Sequence, residues 1–152
     1  MSPQQHACSF VIASIALFGS LGSATAASLA INNVATNEGG TATFAVTLSP
    51  ASAQRVTVVV STSNASAAAP GDFSARTSVT LSFPAGITKR SFSVKTINDL
   101  EPEPIETFNV NLSTPTNATI ADGLGVGRIR DNDQPVARPN VSINSTSVNR
   151  AL

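Results

Sequence analysis

Histidine and cysteine are almost missing from this chain of 152 residues: His6 and Cys8 stand alone, and tryptophan and tyrosine do not occur. Without further imidazoles or thiols, Ser/His and Cys/His catalysis has no base or nucleophile to pair, and zinc and copper lose their preferred ligands. The aromatic residues are all phenylalanine at 5% of the chain, which leaves no indole or phenol platform for a sugar. Charge is scarce as well: 12% of residues, nine basic against nine acidic, with no net charge to attract nucleic acid or an acidic membrane. What remains is a chain rich in Val, Ala, Thr and Ser, a composition that favours strands over solvated helices.

The apolar run Phe10–Phe18 is too short to span a bilayer, and Ala24-Thr25-Ala26 follows it with the small-x-small pattern of a signal-peptidase site. Residues 1–26 are therefore read as a secretory signal, so the product is expected outside the cytoplasm, secreted or at a cell surface. Cleavage would carry off both His6 and Cys8. The exported domain then has no disulfide to draw on, and a bound ion would add to its stability.

From residue 28 to 133 short segments of period-2 alternation are separated by Gly, Pro, Asn and Ser clusters, with no competing helical period. The expected strands lie near residues 29–33, 41–48, 56–61, 79–83, 89–98, 107–112 and 124–130. Seven strands in this length predict an all-β, immunoglobulin-like antiparallel sandwich. If successive strands reverse direction, alternate junctions share a pole. Glu38, Asp72, Asp99, Glu101, Glu103 and Glu106 then fall at one end together with Asp131 and Asp133, which follow the last strand. Eight of the nine acids gather there, whereas the opposite end carries Asp122 with Arg55, Lys89 and Arg90. Crowded carboxylates repel, so each raises its neighbours' pKa unless a cation sits between them. Calcium fits that need because it takes six to eight oxygen ligands at flexible geometry. The competing reading is a set of solvated surface loops.

The stretch from Asn37 to Asp133 resembles the Calx-beta domain through an ordered set of motifs. Glu38-Gly39-Gly40 followed by Phe44-Ala45-Val46-Thr47-Leu48-Ser49 resembles the family's opening, and Pro70-Gly71-Asp72-Phe73 is similar to its Gly-x-Asp-Tyr element with Phe for Tyr. Leu81-Ser82-Phe83-Pro84-Ala85-Gly86 is similar to its strand with a Phe-x-x-Gly turn. The block from Ile97 to Ser113, with Asp99, Glu103, Glu106 and Phe108-Asn109-Val110-Asn111-Leu112, is the most specific, and Ile129-Arg130-Asp131-Asn132-Asp133 closes the match. The resemblance implies a sandwich whose distal loops bind calcium, with Glu38, Asp72, Asp99, Glu103, Glu106, Asp131 and Asp133 as candidate ligands. Asn98 and Asn132 stand where the family often has acids. An amide brings a carbonyl oxygen but no charge, so fewer or weaker ions are expected.

Beyond the match, residues 134–139 read as a Pro-containing linker and residues 141–149 echo residues 29–37, as if a second repeat began and was cut short. The functional expectation is an exported, non-catalytic calcium-binding module serving cell-surface adhesion or architecture. Its expected partners are calcium and other surface proteins or neighbouring repeats, with no nucleic acid and no small-molecule substrate. The alternative is a metal-free spacer of the same fold. A hydrolase using Glu103 and Glu106 as acid and base is poorly supported, since two residues three apart at a strand entry need not flank a substrate.

Overall fold

The structure, a computed structural model, describes residues 25–133. The expected signal segment, apart from its last two residues, and the expected linker and repeat fragment lie outside the described residues. Nine strands run in chain order: β1 Ser28–Ile31, β2 Val34–Asn37, β3 Thr41–Ser49, β4 Val56–Asn64, β5 Val79–Phe83, β6 Lys89–Lys95, β7 Glu106–Thr116, β8 Thr119–Asp122 and β9 Leu124–Arg130. They form a four-stranded sheet in the order β6-β3-β1-β8 and a five-stranded sheet in the order β2-β9-β7-β4-β5. The all-β sandwich expected from sequence is present, with two corrections.

The strand count among the described residues is nine where seven were expected, because the first strand divides between the sheets and one short strand carries little hydrophobic signal. Asn32 and Asn33 make the division. The side-chain oxygen of Asn32 accepts from the backbone N–H of Ala45 on β3 at 2.6 Å, while that of Asn33 accepts from Val126 on β9 at 2.7 Å. Two adjacent amides thus attach the chain to one sheet and then to the other. The second unexpected strand, β8, has Ile120 as its only large apolar residue. The second correction concerns direction: β1 pairs with β8, and β2 with β9, in parallel, while the remaining ladders are antiparallel.

Inward positions follow the alternation. Phe44, Val46 and Leu48 of β3 meet Val56, Val58 and Val60 of β4 and Phe108, Val110 and Leu112 of β7 in one buried cluster. Phe108 is its centre, stacked on Phe73 with centroids 4.6 Å apart and edge-on to Phe44 at 6.0 Å. Space for its ring comes from Gly127 on β9, where a Cβ would overlap the ring atoms. Fully burying a phenylalanine contributes about 1.5–3 kcal/mol, so this trio is a main anchor of the sandwich. It also fixes the loop between β4 and β5, because Phe73 belongs to that loop and pairs with Thr96 across an isolated bridge.

Candidate functional site

The parity of the strands places the turn between β2 and β3, the β4–β5 and β6–β7 loops and the exit of β9 at one end of the sandwich. Register shows it directly: Asn37, the last residue of β2, lies opposite Arg130, the last of β9, and Thr41 at the start of β3 lies opposite Lys95 at the end of β6. Six of the seven candidate ligands converge there in two groups. Glu38, Asp131 and Asp133 form one, and Asp72, Glu103 and Glu106 the other; within each group one carboxylate oxygen per residue lies within 4.8 Å of the others.

Each carboxylate is held by local chemistry. Glu38 precedes Gly39, whose φ of +67° makes the tight turn and whose missing side chain lets the Asn98 side chain approach; a Cβ would sit 3.1 Å from that of Asn98. Below the turn, Thr96 continues the inward alternation of Phe92 and Val94 and is the buried polar residue of the core. Its hydroxyl bonds to the carbonyls of Asn37 and Gly40 at 3.0 and 3.2 Å, so it braces both sides of the Glu38 turn. Asp72 is carried by the buried Phe73, and its Oδ2 accepts from the N–H of Ala68 at 2.7 Å. The backbone N–H of Ile97 in turn donates to the Asp72 carbonyl at 2.9 Å.

Asp131 links the two groups. Its Oδ2 accepts from the N–H of Glu103 at 2.9 Å and its Oδ1 from the N–H of Asp133 at 2.7 Å. A carboxylate has about four lone-pair sites, so both oxygens keep capacity for a further ligand. Asp99 belongs to neither group; its Oδ1 accepts from the N–H of Glu101 at 2.8 Å and shapes its own loop. Glu101 is exposed beside it. The two asparagines that depart from the expected acidic pattern bond to one another, the Asn132 Nδ2 donating to the Asn98 Oδ1 at 2.9 Å. That amide bridge ties the end of β9 to the β6–β7 loop and brings no charge.

The electrostatics are one-signed. Burial raises the pKa of Glu38, and Asp131, Asp99, Asp133 and Glu103 add to the rise. Glu103 is raised by desolvation first, then by Asp72, Asp99, Asp131 and Glu101. Glu106 is pushed up to about 7 by burial, by a hydrogen bond with Asp72 and by the charges of Asp72, Glu103 and Glu38. The leading causes of all three shifts are burial and neighbouring acids. Two oxygens, Glu38 Oε2 and Asp133 Oδ2, are moreover buried with no hydrogen-bond partner among the described residues. Buried acceptors are nearly always satisfied, and an unpartnered pair within one carboxylate group points to a ligand that supplies positive charge.

Calcium–oxygen contacts of about 2.3–2.6 Å place two oxygens of one ion no farther apart than about 5 Å. The spread within each group agrees with that limit. Sequence reasoning found the acids but not Thr96, whose signal was its place two residues after Val94. The 490 Å³ groove on the outer face of the five-stranded sheet, lined by Asn33, Val34, Ala35, Thr107, Val126 and Arg128, contains none of the carboxylates.

Comparison with known proteins agrees with the fold. Residues 28–130 match the profile of the Calx-beta domain. Among solved structures, the apo form of the Calx CBD1 domain superposes with a TM-score of 0.66 at 23% identity, covering 72% of this chain and 100% of that one. CBD12 from CALX1.2 gives 0.65 at 24% identity over 69% of this chain, which spans 44% of its length. The Calx CBD2 domain gives 0.59 at 13% identity, covering 68% and 86%. At these identities the likeness is one of fold. No curated protein sequence matches the chain.

Proposed function

The chain belongs to the Calx-beta domain family, and from that premise we propose that it is a non-catalytic module that binds calcium at the two carboxylate groups of its loop end. The observation that carries the reading is the pair of buried, unpartnered oxygens on Glu38 and Asp133, set among acids whose protonation is favoured by one another's charge. Glu38, Asp131 and Asp133 would hold one ion; Asp72, Glu103 and Glu106 would hold the other. Calcium would supply the missing positive charge and join four chain segments that are distant in sequence. Whatever binds only the folded form stabilises it in proportion to RT ln(1 + [L]/Kd). Extracellular modules of this kind work at about 0.1–1 mM calcium, and export of the chain to a cell surface, where adhesion or surface architecture uses rigid modules, would expose it to such levels.

The test is a thermal melt in chelator, in magnesium and in calcium. A rise of the midpoint with millimolar calcium and a smaller one with magnesium are expected; an unchanged midpoint in calcium would sink the proposal. One observation favours the alternative of a metal-free spacer, namely the Asn98–Asn132 bridge, which fastens two of the loops without an ion. In that case the same melt shows no ion response, and neutralising Glu38 or Glu106 stabilises the fold without loss of any binding.

A further inference from the structure

The two ends of this sandwich are unlike in charge, and each presents apolar side chains to solvent. At the carboxylate end, Leu100 is 84% and Ile105 59% exposed, flanking the exposed Glu101 in the β6–β7 loop. At the other end, Arg55 before β4 and Lys89 and Arg90 at the start of β6 are exposed, and Ile87 beside them is 41% exposed. Lys89 pairs with Thr47 near the end of β3, and Ser49 lies opposite Ser28, so these cations surround the end at which the first strand begins. Among the described residues, eight carboxylates against Arg76, Lys95, Arg128 and Arg130 occupy the first half, and three cations against Asp122 the second.

Within one molecule these charges do not compensate each other. The nine residues of β3 span about 30 Å at roughly 3.3 Å per residue, several times the screening length of about 8 Å at physiological salt. Among the described residues the two ends are instead opposite in sign, so the end of one molecule complements the other end of a second. We propose that the partner is a second copy of this chain, its basic end set against the carboxylate end of the first, with Ile87 packing toward Leu100 and Ile105. The contact is heterologous, since the two surfaces differ, so it leaves one end of each kind free and builds open chains instead of closed dimers. An end-on contact is small, which makes it weak, reversible and sensitive to salt. Calcium opposes it by discharging the acidic end, and this arm alone rests on the ion reading above.

Sedimentation velocity of the purified chain over a range of concentrations tests the proposal. In chelator at low salt the weight-average mass is expected to rise with concentration, to fall back toward the monomer as salt is added, and to fall likewise with calcium. The triple reversal Arg55→Glu, Lys89→Glu and Arg90→Glu abolishes the rise; these side chains are exposed, and a melt of the variant verifies its fold. The variant D99N/E101Q/L100S weakens it from the other end. Mixing the two variants pairs the intact acidic end of the first with the intact basic end of the second, so assembly stops at one-to-one dimers. A chain that stays monomeric at every concentration in low salt overturns the proposal, as does association that the triple reversal leaves intact. If calorimetry detects calcium binding and the association persists in calcium, the carboxylate end is the wrong surface. If calorimetry detects no binding, the ion reading has failed and the triple reversal alone decides the self-association.

Discussion

Replacing Glu106 with glutamine isolates the strain that the crowded carboxylates place on the ion-free fold. Glutamine has the shape of a protonated glutamate and can still donate a hydrogen bond to Asp72, but it never carries charge. In the folded chain the Glu106 pKa is raised from 4.5 to about 7, so the native state holds its proton more tightly than the unfolded state does. The associated stability is complete below 4.5 and is lost as the pH rises through about 7. At about 1.36 kcal/mol per pH unit the gap from 4.5 to about 7 corresponds to roughly 3 kcal/mol, and solvent screening of this half-buried group reduces it to about 1–2 kcal/mol. Such a difference moves the midpoint of a domain of this size by about 5–10 °C. Thermal melts in chelator from pH 4.5 to 8.5 are therefore expected to show the wild-type chain losing stability with rising pH, and E106Q losing less. The two proteins should coincide near pH 4.5, diverge as the pH rises to about 7 and keep a constant gap above it, with the variant more stable. Parallel pH profiles, or a wild-type chain that gains stability across this range, would refute the reasoning.

Calcium must displace the Glu106 proton, so its affinity is expected to increase as the pH rises toward about 7 and to level off above it, read by calorimetry across that range. Phe73→Ala removes the ring stacked on Phe108 and releases the loop that carries Asp72; a loss of about 3–5 kcal/mol in denaturant unfolding is expected, together with a weaker calcium response. Thr96→Val keeps the shape of the core but removes the donor to the Asn37 and Gly40 carbonyls, which costs about 1–2 kcal/mol and loosens Glu38, seen as a lower calcium affinity. Gly127→Ala forces a methyl group into the Phe108 ring, and denaturant unfolding should show a loss of about 1–3 kcal/mol or more.

The carboxylate end was legible because it depends on little more than strand parity. A chain that crosses the sandwich back and forth alternates its ends, and that alternation survives the division of the first strand: β1 and β2 run on in one direction from Ser28 opposite Ser49 to Asn37 opposite Arg130. The inward phenylalanines were legible for the same reason, since Phe44, Phe92 and Phe108 obey the period of two. The change of sheet at Asn32 and Asn33 was not, because it depends on two amides bonding to residues 13 and 93 positions away. Nor could a sequence of similar acids show which share a group. The separation of Asp99 from Asp131 and Asp133 arises from an Asx-type bond to the Glu101 N–H, a choice of loop geometry that composition does not encode. The mutual bond of Asn98 and Asn132 is of the same kind: each was visible as a missing charge, and their pairing was not.

The central claim is that two groups of three carboxylates each take up one divalent ion, and counting ions tests it most directly. Equilibrium dialysis of the chelator-stripped chain against calcium at pH 7.5 is expected to reach two ions per chain within the millimolar range. The count should fall by one in the Glu38→Gln variant and by one in Asp72→Asn. A chain that retains no calcium above background at millimolar concentration, or whose uptake both variants leave unchanged, would contradict the account.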